Sequence, residues 1–126
     1  MKYKIGEFSK LTDVPVKTLR YYDEIDLFKP AETDFYSNYR YYKEEQIVDL
    51  QIILELKEAG FLLEEIKNHW DHWEEKDFLI QKEKVYEEQE NLNKKIKKLD
   101  ELRTRISNGM IYKESVTNVL TKRKEK

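Results

Sequence analysis

The 126-residue chain contains no cysteine. A disulfide framework, a thiolate metal site and a cysteine redox sensor are therefore excluded, and the composition suits a reducing compartment. No apolar run approaches the ~20 residues that span a bilayer, and the N-terminus has no signal-peptide apolar region. A soluble, cytoplasmic protein with no membrane partner is expected. An excess of positive charge is also missing: 24 Lys and Arg face 26 Asp and Glu, for a net charge of −2. A generally basic polyanion binder is excluded, so any such contact must come from basic groups gathered on one face. No nucleophile, phosphate loop or metal triad is recognisable, and the carboxylates fall on solvated helix faces. Neither an enzyme nor a cofactor is expected.

What the chain does have is charge and helical periodicity. With 40% charged and 39% hydrophobic residues, it can hold one small core plus an extended element. The densest stretch runs from Val14 to Ile25. Pro15 suits a first helical turn, and Asp13 ahead of it can accept hydrogen bonds from orphan N–H groups. Leu19, with Val16 and Ile25, forms a narrow inward stripe that leaves Lys17, Thr18, Arg20 and Tyr21 to project. Those residue types suit phosphates and base edges, which reads as a DNA recognition helix. The alternative is an ordinary amphipathic helix with half-buried tyrosines.

Upstream, Ile5, Phe8 and Leu11 stand at helical spacing, so a short helix over Ile5 to Leu11 is expected to lay that edge against Leu19. Thr12-Asp13-Val14-Pro15 breaks it, giving a helix-turn-helix. Downstream, Pro30 stops helical character. Ala31 to Tyr42 reads as two short strands around a turn at Ser37-Asn38, followed by the β-prone run Tyr39-Arg40-Tyr41-Tyr42. This is a wing in which Arg40 reaches a phosphate or the minor groove while alternate tyrosines pack inward. A surface hairpin that merely covers the core is the alternative.

Lys43 to Ala59 carries Ile47, Leu50, Ile53, Leu54 and Leu56, an amphipathic helix closed by Gly60. Lys57 near its end complements the helix dipole. A further short helix opens at Phe61 and runs to about Trp73. His69 and His72 lie three apart, but two ligands are too few for a metal site. Trp70 and Trp73 are expected to seal a joint in the globular head rather than to line a ligand pocket.

From Lys76 to Ser107 there is neither Pro nor Gly. Phe78, Val85, Leu92, Leu99 and Ile106 recur at seven-residue steps, with Ile96 and Leu102 flanking them. One thin seam cannot bury itself in a monomer, so a coiled-coil homodimer is expected, with Gln89 near the seam helping to fix register. A single solvated helix would leave the spacing unexplained. Asn108-Gly109 ends the helix, and Met110 to Lys126 forms a short tail.

These residues resemble the MerR family of bacterial transcription regulators. The matching pieces are Ile5 to Leu11, Thr18 to Ile25, Tyr39 to Tyr42, and Leu56-Lys57-Glu58-Ala59-Gly60-Phe61, in family order over roughly the first 75 residues. Asp23 to Pro30 is most similar to the multidrug-sensing branch. The resemblance implies that Lys17, Thr18, Arg20 and Tyr21 meet the major groove and its phosphates, and that Tyr22, Lys57 and Arg40 contact backbone phosphates, with Tyr39 beside Arg40 on the same face. It implies a dimer on a pseudo-palindromic operator within a promoter spacer, which it bends and untwists for RNA polymerase. The chain departs from the family at Asp26 and Asn38, where relatives often carry Gly. It also stops before the C-terminal effector domain of drug-sensing relatives, whose opening Met110 to Arg123 faintly resembles. Whether it is a portion of a longer regulator, and whether a small-molecule effector exists, stays open; operator binding independent of a drug is expected.

The expected fold is all-α with a small β-hairpin wing: a winged helix-turn-helix over 1–75, an antiparallel coiled-coil dimerisation helix over 76–108, and a tail over 109–126. A dimeric DNA-binding transcriptional regulator is the first functional reading. A protein-interaction module acting through the coiled coil and the Trp70/Trp73 region is the second.

Overall fold

In the computed structural model, residues 1–109 and Leu120 are described, so the segment Met110 to Arg123 singled out above lies, apart from Leu120, outside the described residues. The elements are β1 (Lys2–Lys4), α1 (Ile5–Thr12), α2 (Val16–Glu24), β2 (Glu32–Thr33), β3 (Arg40–Lys43), α3 (Gln46–Glu58), α4 (Leu63–His69) and α5 (Glu75–Ser107). They fall into two units, Met1–Gln81 and the part beginning at Lys82.

The first unit is built on an aromatic and aliphatic core in which Phe8, Leu19, Tyr22, Tyr42, Leu50, Ile53 and Ile66 are fully buried. The rings of Phe8 and Tyr42 stack at 4.5 Å and 11°, and Phe28 adds a third ring 5.7 Å from Tyr42. Such offset stacks add to the burial that drives collapse.

The helix-turn-helix forms, but its turn is made differently from the sequence expectation. Asp13 does not cap α2; it closes α1 in the left-handed region at φ 58, and the Val14 N–H donates back to the Ser9 carbonyl at 3.2 Å. Pro15 is not inside the first turn of α2 but precedes it, with φ −58 and ψ 144. An extended ψ at the cap is what a helix start requires, so α2 begins one residue later. Leu11, expected to face inward, is 52% exposed, and Val14 on the turn is buried at 4%. The left-handed residue turns the chain sharply enough to put Val14 into the core.

The wing is part of a three-stranded antiparallel sheet in the order β1-β3-β2 rather than a two-stranded hairpin. Tyr3 pairs with Tyr42 and Lys4 with Tyr41, while Thr33 pairs with Arg40 on the other side. The Lys2 amino group meets the Glu32 carboxylate at 2.6 Å. Strand β1 has a single apolar residue and is defined only by its partner, which is why periodicity misses it. The turn residues Asp26 and Asn38 keep positive φ, at 60 and 62, without being glycine; Asp and Asn tolerate this region better than other side chains.

Helix α3 begins at Gln46 because Lys43 continues the sheet, its N–H donating to the Gln46 side chain at 2.9 Å. It ends in a two-bond cap: Gly60 N–H to the Lys57 carbonyl at 3.0 Å and Phe61 N–H to the Leu56 carbonyl at 3.2 Å, with Gly60 at φ 97. This is the left-handed closure that glycine supplies without strain. Helix α4 is shorter than expected, stopping at His69. The chain then turns through Trp70 to Glu74, and Trp73 packs edge-on to Phe61 at 5.1 Å and against Phe78 at 5.3 Å. Gln81 donates its side-chain amide to the Ala59 carbonyl at 3.1 Å. These contacts bring the opening turns of α5 into the first unit.

In the second unit, α5 carries Val85, Leu92, Ile96, Leu99 and Ile106, each 44–66% exposed, on a helix with no buried residue. Its polar surface holds short-range pairs such as Lys98–Glu101 at 3.1 Å and Lys94–Glu90 at 3.9 Å, each worth a few tenths of a kcal/mol. Gly109, at φ 68, ends it.

Candidate nucleic-acid interface

Three elements present basic side chains to one cleft of about 680 Å³, lined by Lys4, Ile5, Gly6, Glu7, Lys10, Arg20, Tyr39 and Arg40. Lys4 stands where β1 passes into α1, Lys10 is in α1, Arg20 in α2, and Tyr39 and Arg40 at the start of β3. Four cations thus converge on a cleft with one carboxylate, on a chain whose net charge is −2. Glu7 is itself engaged, accepting the Lys4 backbone N–H at 3.0 Å. A second hollow of about 370 Å³ adjoins along α2, lined by Lys17, Arg20, Tyr21 and Glu24.

Asp23 sets this arrangement. Its carboxylate accepts the Arg40 Nε–H at 2.8 Å and meets the Lys29 Nζ at 3.2 Å, with its side chain only 16% exposed. The wing is thereby tied to α2. Arg40 uses only one of its five donors on Asp23, which leaves its terminal amino groups available. Lys29 also reaches Asp26 at 2.8 Å. The Asp26 and Asp23 carboxylates hold the Lys29 ammonium above its ordinary pKa, and Lys29 draws the Asp26 carboxyl below its own. Tyr39 is half exposed with the Lys4 ammonium 4.9 Å from its ring centroid.

Of the residues singled out from the sequence, Arg20, Tyr39 and Arg40 line the main cleft and Lys17 and Tyr21 the second. Thr18 is half-buried on α2. Lys57 is exposed in the last turn of α3 and lines neither of these two clefts. Tyr22 is corrected: it is 1% exposed, and its hydroxyl is buried without a hydrogen-bond partner among the described residues. Lying three residues after Leu19, it shares the inward face of α2 and belongs to the core. Lys4, Lys10 and Asp23 were missed. Lys10 sits on the outer face of α1, and the Asp23–Arg40 contact spans 17 positions, so neither shows in local periodicity.

Burial pushes the Tyr42 phenol up to about 12, with the Asp23 carboxylate adding to the effect. It stays neutral at any physiological pH. His69 stacks on Trp73 at 5.3 Å and places Nδ1 3.0 Å from the Glu65 carbonyl. Among the described residues no group of three or more His, Cys, Asp or Glu is placed to hold a metal ion, and no helix is long and apolar enough to cross a membrane. The arrangement binds anions along a ridge of two helices and a wing.

The MerR HTH regulatory-protein family matches residues 3–73 of this chain, a span that contains both clefts. The chain belongs to the MerR family. Over 69 residues it is 54% identical to the multidrug-efflux transporter 1 regulator of Bacillus subtilis, a match covering 55% of this chain and 25% of that protein. The chain therefore spans only about a quarter of that relative's length. Among solved MerR structures, it is similar to the N-terminus of the Bacillus subtilis multidrug transporter activator, MtaN, with a TM-score of 0.70 and 32% identity, covering 78% of this chain and 94% of that one. It is also similar to EcmrR in a cryo-EM structure of the EcmrR–DNA complex in EcmrR-RPo, with a TM-score of 0.60 and 26% identity, covering 90% of this chain and 40% of that one.

Proposed function

We propose that this MerR-family chain is a dimeric, sequence-specific DNA-binding regulator of transcription. It binds a pseudo-palindromic operator in a promoter spacer, bends and untwists it, and so acts on promoter recognition by RNA polymerase. The observation that carries the reading is the convergence of Arg20 from α2 and Arg40 from the wing on one cationic cleft, with Asp23 holding Arg40 in place. Lys17 and Tyr21, with Thr18 beside them, serve as the major-groove edge. Lys4, Lys10, Arg40 and Lys57 serve as phosphate contacts, with Tyr39 beside the wing arginine. The similarity to EcmrR, captured with DNA, supports DNA as the anion.

Dimerisation supplies the second half-site. Phe78, Val85, Leu92, Leu99 and Ile106 form the seam with Ile96 and Leu102 beside it, in an antiparallel coiled coil over 76–108. The seam is solvent-exposed in a single copy. Covering it contributes up to ~1.5–3 kcal/mol for each side chain fully buried. Two heads so joined can meet half-sites about one helical turn, ~34 Å, apart. Distorting the DNA between them costs of the order of 1–6 kcal/mol, offset by phosphate contacts from both heads.

The test is retention of a promoter fragment against excess non-specific DNA, followed by salt titration. Arg20→Ala is expected to weaken specific binding by ~1–3 kcal/mol, the range of a base contact. Arg40→Ala is expected to weaken it while lowering the salt slope by about one. Unchanged affinity in both variants removes the proposed face.

A further inference from the structure

The wing ends in a pair of large aromatics that nothing in the fold covers. Phe35 is 91% exposed and Tyr36 95%, and their rings meet edge-on at 5.5 Å. Their turn is nevertheless held firmly. The Asp34 carboxylate accepts the Tyr36 and Ser37 N–H groups at 2.8 and 3.0 Å. The Asn38 N–H donates to the Asp34 carbonyl and the Asp34 N–H to the Tyr39 carbonyl, both at 2.9 Å, and Asn38 takes φ 62. Those backbone N–H bonds draw the Asp34 carboxyl below its ordinary pKa, so its charge is spent on the turn. Two bare rings on a fixed turn cost solubility and add nothing to the core.

We infer that Phe35 and Tyr36 are a minor-groove wedge: Phe35 enters a base step beside the operator half-site, and the Tyr36 hydroxyl donates to a base-edge acceptor. The inference rests on the DNA reading above and names how the wing contributes to it. Continuity with the cationic cleft decides the occupant. Tyr39 and Arg40 line that cleft, and Thr33, paired with Arg40, leads directly into the tip. The Asp23–Arg40 bond fixes the base of the wing against α2.

The reach fits. The tip extends two to three residues beyond Arg40, about 7–10 Å at ~3.3 Å per residue, and an aromatic side chain adds to that. The minor groove flanking a major groove occupied by α2 lies about half a helical turn, ~17 Å, along the duplex. Apolar side chains inserted there part a base step and kink the duplex toward the major groove. Pyrimidine–purine steps yield most readily. Minor-groove acceptors on adenine and thymine are what a tyrosine hydroxyl can meet.

The experiment uses a duplex selected by the wild-type chain from a random-sequence pool, with 2-aminopurine placed in turn at the TA and CA steps flanking each half-site. The wild-type chain should raise fluorescence at one step per half-site, and this readout needs no variant. Phe35→Ala should abolish the rise and weaken binding about ten-fold, as expected for loss of one aromatic–base stack. The salt slope should stay unchanged, because no charge is removed. Tyr36→Phe should weaken binding only where the flanking step is A·T. Absence of any fluorescence rise, or undiminished affinity in a folded Phe35→Ala, overturns the wedge. So does a loss of transcriptional output with DNA binding intact, which would assign the tip to a protein surface. A wild-type chain that selects no duplex sinks the DNA reading itself and the wedge with it, whereas selection with a silent Phe35→Ala sinks the wedge alone.

Discussion

Replacing Asp23 with alanine tests whether the wing is fastened to α2 as the structure shows. The substitution removes one charge-assisted bond to Arg40 and an ion pair to Lys29. A hydrogen bond to a charged group contributes ~1.5–3 kcal/mol. Two terms reduce that figure. The Arg40 and Lys29 side chains are 37% and 56% exposed, so both recover water, and exposed pairs alone contribute only ~0.2–1 kcal/mol. Asp23 also lies in the last turn of α2, where a negative charge opposes the helix dipole by ~0.3–1 kcal/mol. The net expected loss is about 1 kcal/mol, which lowers the Tm of a unit this size by roughly 4–8 °C. Urea unfolding at one fixed protomer concentration measures it, because self-association makes apparent stability concentration-dependent. The decisive quantity is the double-mutant cycle with Arg40→Ala, expected to give a coupling of about 1 kcal/mol. Additivity within ~0.3–0.5 kcal/mol, as found for residues that do not touch, would refute the contact and with it the argument that the wing is prepositioned.

Further outcomes follow from the same geometry. Gly60→Ala should destabilise the head by about 1–2 kcal/mol in denaturant titration, since φ 97 is costly for any L side chain and the new Cβ would lie 2.7 Å from the Gln81 Nε2; adding Gln81→Ala should relieve only the contact. Leu92→Asp should break the dimer: with ~2 kcal/mol lost from each copy, the dissociation constant should rise roughly 10³-fold, read by sedimentation equilibrium. The carboxyls of Asp26, Glu32 and Asp34 are all held low. Their contribution is therefore present above the unfolded carboxylate range near pH ~4 and is lost as pH falls through their lower folded values. Lys2 and Lys29 are held high, so their share is complete below the unfolded lysine value of ~10.4 and is lost as pH rises through the folded ones. Urea midpoints should accordingly show no contribution from these pairs between pH 5 and 9; a step inside that window would contradict the assignment.

Much of the head was legible because its signals are local. Ile5 and Phe8 at helical spacing, the apolar series from Ile47 to Leu56 and Gly60 after it each report on a single element. Leu11 misled for the same reason: spacing says which residues share a face but cannot say that Asp13 will turn left-handed and give Val14 the buried place. Tyr22 misled in the opposite direction, since its type suits a phosphate while its position, three after Leu19, commits it to the core.

By itself the sequence determined the element order, the helix-turn-helix with its wing, the heptad series on α5 and, through motifs spread over 3–73, the family. These are consequences of spacing along one chain, where neighbours three, four or seven apart must share a face. Only the tertiary structure decided that β1 completes the sheet, that Asp23 reaches across 17 positions to Arg40, and that Lys4 and Lys10 join Arg20 around one cleft. Those pairings depend on how separate elements pack, and a three-residue strand or a single carboxylate has no periodicity from which its partner could be read.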